Sequence, residues 1–154
     1  MIEVRRAGPD DLGILAPLFD AYRQFYRASP DAEGARAFVG DRLTKGDSTF
    51  MLAMNAGGAV GFVQLYPLFA SVAMQPALIL NDLFVVPEAR CAGVGAALVI
   101  AAERFARQSG VTRMRLSTQV TNSPAQSLYE RLGWEADREF RSYNRVLAMM
   151  EGTN

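Results

Sequence analysis

Residues 77–108 constrain the fold more than any other stretch of the chain. Ala77 to Val86 is an almost continuous apolar run, the pattern of a central strand covered on both faces. Pro87 ends it, a glycine-containing turn runs from Glu88 to Gly95, and Ala96 to Gln108 continues as a nearly all-apolar helix closed by Ser109-Gly110. Val111 to Thr118 then reads as the next strand. A strand, a buried helix and a strand in that order predict a parallel crossover, and so a sheet with helices packed on it. One detail is out of place: the polar pair Asn81-Asp82 interrupts the apolar run.

The remaining elements follow from periodicity. Ile2 to Arg6 alternates like a short strand, and Gly8-Pro9-Asp10-Asp11 supplies turn chemistry with acidic residues suited to a helix start. Leu12, Leu15, Leu18, Phe19, Tyr22, Phe25 and Tyr26 recur at helical spacing until Ser29-Pro30. A second helix runs from about Ala32 to Leu43 and ends near Gly46. Thr49 to Asn55 and Val60 to Tyr66 flank Asn55-Ala56-Gly57-Gly58 and predict a hairpin, followed by a loop from Pro67 to Pro76. Ser123-Pro124-Ala125-Gln126 reads as a helix start with Ser123 as the cap, and Gly133 closes that helix. Trp134 to Phe140 and Ser142 to Met149 read as a closing pair of strands. The order β-α-α-β-β-β-α-β-α-β-β predicts a mixed α/β sheet.

Composition narrows the functions. With 154 residues, half of them hydrophobic, the chain is expected to form one domain over 1–154. Sixteen basic residues balance sixteen acidic ones, which argues against nucleic acid as a partner. No window approaches the apolar length of a membrane span and no secretory signal is evident, so a cytoplasmic protein without membrane association is expected. The chain has no histidine, which excludes Ser-His-Asp and Cys-His triads and histidine general bases. The lone Cys91 makes neither an internal disulfide nor a thiolate zinc site, and no metal is expected.

Chemistry is expected where the crossover begins. Arg90-Cys91-Ala92-Gly93-Val94-Gly95-Ala96 places small residues just before a helix N-terminus, whose unpaired N–H groups and positive dipole suit an anion such as a pyrophosphate. The same glycines also suffice for a tight strand-to-helix turn, and the local sequence does not choose between the two. It does separate nucleotide folds: the third glycine of a dinucleotide fingerprint falls on Leu98, and no P-loop motif occurs.

Arg90-Cys91-Ala92-Gly93-Val94-Gly95 matches the [Q/R]-x-x-G-x-[G/A] motif, and Asn122, Ala125, Leu128, Tyr129, Gly133 and Trp134 match a second pattern downstream. On these two motifs the chain resembles the GNAT superfamily of N-acetyltransferases. The opening Val4-Arg5-Arg6-Ala7 and Asp10-Asp11-Leu12 extend the likeness over essentially the whole chain. The resemblance implies an α/β fold with a mixed, largely antiparallel central sheet flanked by helices, in which the strands ending near Val86 and Thr118 splay apart. It implies acetyl-CoA as co-substrate, with its acetyl and pantetheine arm along Phe84, Val85 and Val86. The loop Arg90, Cys91, Ala92, Gly93, Val94, Gly95 and Ala96 then takes the pyrophosphate, and Asn122 lies near the cofactor. Tyr129 is implied as the general acid that protonates the departing thiolate.

Attack of a neutral amine on a thioester also needs a base and a stabilised oxyanion. Backbone N–H groups near Val85 suit the oxyanion. Without histidine the base is a carboxylate, a tyrosine or a relayed water, and Asp82 is the candidate, with a structural ion pair as the alternative. Cys91 has no partner base and is read as a backbone donor. Tyr22, Tyr26 and Asn81 are expected to line the acceptor site, with the aromatic rings suited to a cationic amine. The expected acceptor is a small primary amine such as a polyamine or an amino acid. The alternatives are a peptide or protein acceptor, or a catalytically silent acyl-CoA-binding module. The apolar closing strands are expected to provide a homodimer seam.

Overall fold

The computed structural model describes residues 1–150 and Gly152; positions 151, 153 and 154, the last part of the expected 1–154 domain, lie outside the described residues. Its strands are β1 (Glu3–Arg6), β2 (Thr49–Asn55), β3 (Gly58–Ala70), β4 (Gln75–Val85) and β5 (Met114–Arg115). Its helices are α1 (Leu12–Phe25), α2 (Ala32–Lys45), α3 (Val94–Gln108) and α4 (Ser123–Arg131). The five strands form one sheet in the order β1-β2-β3-β4-β5, antiparallel except for β4 and β5. The expected mixed α/β architecture with one parallel crossover around α3 is therefore the observed one.

Helical spacing puts an apolar stripe of α1 and α2 (Leu15, Leu18, Phe19, Ala35, Val39) on one face of the sheet, against Phe50, Leu52, Phe62 and Phe84. On the other face Val94, Leu98, Val99, Ala102 and Ala106 of α3 pack on Val63, Leu65, Leu78 and Leu80. Full burial of a side chain such as Leu98 or Phe62, both 0% exposed, stabilises by about 1.5–3 kcal/mol. Gly61 lets β3 and β4 approach closely, since a Cβ there would lie 2.6 Å from the Phe84 carbonyl oxygen.

β4 changes phase halfway along. Gln64 is opposite Asp82 and Leu65 is opposite Leu80, so Asn81 is an extra residue bulged out of the ladder. Before the bulge Leu78 and Leu80 face α3. After it Leu83 and Val85 do, and Phe84 joins the α1 side. The polar pair that seemed out of place is this bulge, and it turns Asp82 towards α1.

Several elements differ from expectation. The loop expected over Pro67 to Pro76 is a continuation of the β3–β4 hairpin, with pairs running from Pro67↔Leu78 to Ala70↔Gln75 and a tight turn in which Met74 N–H bonds to Ser71 O at 3.1 Å. The strand expected over Val111 to Thr118 shrinks to Met114–Arg115, paired only with Leu78 and Ile79. The closing strands over Trp134–Phe140 and Ser142–Met149 are not formed among the described residues. Asp137 accepts the backbone N–H groups of Glu139 and Phe140 at 2.9 and 3.0 Å. That local turn competes with a ladder in the middle of the first predicted strand, and the short β5 offers little edge to pair with.

Candidate active site

The site is built around the free edge of β4. Because β5 stops at Arg115, opposite Ile79, the β4 edge from Leu80 to Val85 has no neighbouring strand among the described residues, and the two strands part as a wedge. Val86 N–H donates to Val60 O at 2.9 Å. Alternation therefore turns the N–H and C=O of Val85 the opposite way, into the wedge. The Val85 N–H thus faces the gap with no strand partner among the described residues, and the Val85 C=O accepts from Arg90 Nε, beside half-buried Val86 and buried Phe84.

At the end of that edge the chain enters the loop to α3. Cys91 (φ 62) and Gly93 (φ 82) both take left-handed backbone conformations, unusual for a cysteine and ordinary for glycine. Gly93 is the N-cap of α3, and no side chain among the described residues caps the helix. The backbone N–H groups of the first turn, from Gly93 to Ala96, are therefore left without intrahelical partners and face the loop. A Cβ on Gly93 would meet nothing within 4 Å, so the cradle is open, whereas a Cβ on Gly95 would sit 3.1 Å from Leu128 Cδ2. The second glycine of the motif therefore lets α4 pack against α3. Cys91 and Ala92 are exposed and Val94 is buried.

Tyr129 comes from α4, whose cap is Asn122 and not the expected Ser123: Asn122 Oδ1 accepts from Ala125 N–H at 3.2 Å. Asn122 thereby fixes the start of the helix that carries Tyr129. Gly133 (φ 95) reverses the chain after α4, Trp134 N–H bonds back to Tyr129 O at 2.9 Å, and the two rings lie 6.1 Å apart. The Trp134 indole donates to Glu103 on α3 at 2.9 Å. The Tyr129 side chain is buried, and burial raises the pKa of its phenol, with a smaller contribution from Tyr26.

Opposite, the bulge delivers Asp82. Tyr22 of α1 donates to Asp82 Oδ1 at 2.7 Å, and Asn81 donates to Asp82 Oδ2 at 2.9 Å. The Tyr22 phenol is pushed far above its ordinary pKa, first by burial and then by the Asp82 charge, with smaller contributions from Tyr26 and Tyr129. These influences place Tyr22, Tyr26 and Tyr129 in one neighbourhood. The Tyr22 ring is held edge-on by Tyr26, Phe62 and Phe84 at 5.2, 5.6 and 6.1 Å. Its packing is taken up by the protein, and Tyr26 remains the more exposed of the two.

Three features were not expected from the sequence. Gln64, the cross-strand neighbour of Asp82, is fully buried and donates to Ser48 Oγ and Tyr66 Oη at 3.0 and 2.8 Å, while its Oε1 has no partner among the described residues. Gly61 admits the close approach of β4. Arg90 does not point along the loop: its Nε donates to Val85 O at 3.0 Å and its guanidinium lies 5.2 Å from the Phe25 ring centre and 5.9 Å from that of Phe84. Only a period-two reading carried through Asn81-Asp82 as a bulge signals the face that these residues share.

A wedge beside a loop that ends at an open helix N-terminus, with a buried tyrosine and a carboxylate nearby, suits acyl transfer, and the family found by comparison with known proteins is one of acetyltransferases. The acetyltransferase (GNAT) family model matches residues 15–134. The uncharacterized N-acetyltransferase YhfO of Bacillus subtilis (strain 168) is 45% identical over 92% of this chain and 95% of its own. An aminoglycoside N(6')-acetyltransferase type 1 of Klebsiella aerogenes is 31% identical over 71% of this chain and 74% of its own. The crystal structure of a probable acetyltransferase superposes with a TM-score of 0.89 at 37% identity, covering 96% of this chain and 99% of the other. The chain belongs to the GNAT acetyltransferase family, and it is an N-acetyltransferase. Enzymes of this family generally take acetyl-CoA as the acetyl donor.

Proposed function

We propose that this protein transfers the acetyl group of acetyl-CoA to the primary amine of a small molecule by direct attack of the amine on the thioester. The observation that carries the reading is the meeting of three things at the end of β4: the Val85 N–H that faces the wedge, Tyr129, and the Tyr22–Asp82 pair. The residues present fit the donor. The open cradle at Gly93, the free N–H groups of α3 and the left-handed turn at Cys91 suit a pyrophosphate, and the free edge of β4 suits a pantetheine amide chain. The thioester supplies an activated acyl carbon and a thiolate leaving group.

The chain's own groups do the rest. Val85 N–H, aimed into the wedge, stabilises the developing oxyanion. Asp82, or a water it holds, accepts the proton of the attacking amine, and Asn81 and Tyr22 fix the orientation of its carboxylate. The buried Tyr129 phenol stays protonated through the neutral range and gives its proton to the departing sulfur. Phe84, Val86, Ala92, Val94, Ala96 and Asn122 shape or brace the donor side. Tyr22, Tyr26 and Asn81 shape the acceptor side. The Klebsiella relative, whose name records an aminoglycoside acceptor, supports a small-molecule amine here.

Two further readings accompany this one. The protein works as a single cytoplasmic domain; no helix among the described residues is long and apolar enough to cross a membrane. It pairs as a homodimer through residues 140–150, where Phe140, Tyr143, Val146, Leu147, Met149 and Met150 are exposed. A screen of small amines with acetyl-CoA, following free thiol release, tests the activity. Turnover is expected with at least one primary amine, and acetyl-CoA binding without turnover on any amine would leave a silent acyl-CoA-binding module.

A further inference from the structure

We propose that Tyr66 is a further acceptor-binding residue, its hydroxyl donating to an uncharged oxygen on the acceptor. The preferred acceptors are then primary amines that carry a hydroxyl, of the amino-alcohol type; this rests on the amine-acetyltransferase reading above. The placement starts from the register. Gln64 on β3 is the cross-strand partner of Asp82 on β4, and side chains paired in this way share one face of the sheet, with Cβ atoms about 4.5–5.5 Å apart. Tyr66 is two residues further along β3 and stands on that same face. The two β3 side chains meet, Tyr66 Oη accepting an N–H of Gln64 at 2.8 Å. The hydroxyl is therefore bonded to the immediate neighbour of Asp82. The charge of Asp82 reaches it there, raising the Tyr66 phenol after the larger effect of burial.

The proton of this hydroxyl is uncommitted. Tyr22, the other phenol raised by the Asp82 charge, spends its proton on Asp82 Oδ1. Tyr66 instead accepts from Gln64, which turns its own O–H away from the amide, and that O–H meets no acceptor among the described residues. The raised phenol stays protonated, and so a donor, through the neutral range. Gln64 is pinned in place to hold it. Its other N–H goes to Ser48 Oγ at 3.0 Å, and the side chain is fully buried with Oε1 left without a partner among the described residues. An apolar side chain would avoid the cost of that bare acceptor, and the amide is accounted for by the hydroxyl it fixes beside Asp82. Tyr66 itself is only half-buried, so its donor is open to a bound molecule. Asp82 accepts one bond at each oxygen, from Tyr22 and Asn81, and a carboxylate has lone pairs to spare for amine N–H groups. A donor and an acceptor side by side suit a molecule that offers both an amine and an oxygen. An uncharged oxygen fits best, because a carboxylate would stand against the charge of Asp82. Arg42, a cation whose charge acts on Tyr66, is already paired with Asp47 at 2.8 Å.

Matched acceptors test this: amino alcohols with the hydroxyl two, three or four carbons from the amine, each beside the alkylamine and the amino acid of the same length. They are assayed by thiol release with the parent, Tyr66→Phe and Gln64→Met, and acetyl-CoA affinity is measured alongside by calorimetry. The parent should prefer at least one amino alcohol to its alkylamine by roughly ten-fold in kcat/KM, and should prefer it to the amino acid as well. Tyr66→Phe should erase that preference, costing the amino alcohol about ten-fold more than the alkylamine, with acetyl-CoA affinity unchanged. Gln64→Met keeps the hydroxyl but removes its anchor, and should erase part of the preference. Equal use of amino alcohol and alkylamine by the parent overturns the inference, as does a preference for the amino acid. So does a Tyr66→Phe protein that is slowed alike on both members of each pair, as a hydroxyl that only braces the fold would give. If the parent binds acetyl-CoA yet acetylates no amine at all, the amine-acetyltransferase reading fails and takes this inference with it.

Discussion

Tyr22 and Asp82, sixty positions apart in sequence, are joined by a 2.7 Å hydrogen bond from the phenol of α1 to the carboxylate at the β4 bulge. If Asp82 or its water takes the amine proton, Asp82→Asn lowers kcat much more than acetyl-CoA affinity and removes the acidic limb of the pH–rate profile. Tyr22→Phe keeps the ring packing and releases only the carboxylate, so its loss should fall mainly on kcat and be smaller than that of Asp82→Asn. An Asp82→Asn protein with reduced stability and an unaltered pH profile would make the pair architectural.

Tyr129→Phe removes a hydroxyl and leaves the contact with Trp134 in place, so stability should change by no more than about 1 kcal/mol. Turnover should fall by roughly 10² to 10⁴ if the phenol protonates the thiolate, the low end being favoured because a thiolate leaves tolerably well unprotonated. Since burial raises the phenol above its ordinary pKa, no alkaline inactivation from Tyr129 is expected at or below neutral pH. Rates measured at saturating acetyl-CoA, with chemistry verified as rate-limiting, decide the matter. Turnover within about two-fold of the parent dismisses Tyr129 as the acid.

Gly93→Glu forces a side chain onto a φ of +82 and sets a carboxylate in the cradle at the α3 N-terminus. Acetyl-CoA binding should be lost in calorimetry on a variant that retains its circular dichroism. Unchanged affinity would remove the pyrophosphate from this loop.

Asp11 offers a stability test remote from the site. Arg5 pairs with it at 2.7 and 2.9 Å, and together with the Gly8 N–H at 2.8 Å holds its carboxyl at a pKa of about 2. The folded value lies below that of an unfolded aspartate, near about 3.9, so the stabilisation is present above that value and is lost as pH falls through about 2. Asp11→Asn should therefore cost stability at pH 6, by about 1 kcal/mol or less because Arg5 is half exposed. The difference from the parent should vanish near pH 2. Urea melts at both pH values check it, and an equal deficit at both would separate the effect from ionisation.

Long periodic segments and turn chemistry made most of the fold legible in advance. α1, α3 and the β2–β3 hairpin each carry a strong pattern of their own, and the crossover around α3 follows from their order. The turn from Arg90 to Ala96 was readable for the same reason, since Pro87 and the glycines mark where a strand ends and a helix begins, whereas a pyrophosphate role for it came from the motif and not from the local pattern. What could not be read depended on partners distant in sequence. Trp134 to Met149 has the alternation of strands, but alternation says which side is buried only once an edge is available, and the Asp137 turn intervenes. The orientation of Arg90 depends on Phe25, a residue of another element. Asn122 and Ser123 are both good caps, and only the folded chain distinguishes them.

The bulge at Asn81 behaves like a frameshift written in side chains. Because Asn81 stands outside the ladder, the residues beyond it take the faces opposite to those that an unbroken alternation from Leu78 and Leu80 would give them. The residues downstream, Leu83-Phe84-Val85-Val86, are apolar at every position, so either phase would give the strand a packable surface. Asp82 is the residue for which the phase matters. Deleting Asn81 would therefore leave Asp82 directly after Leu80 in unbroken alternation, still on the α1 side, and would remove the bulge together with the Asn81 bond to Asp82 Oδ2. A lineage that lost that one codon would keep its core and the heading of its carboxylate, and would give up one of the two bonds that steady it.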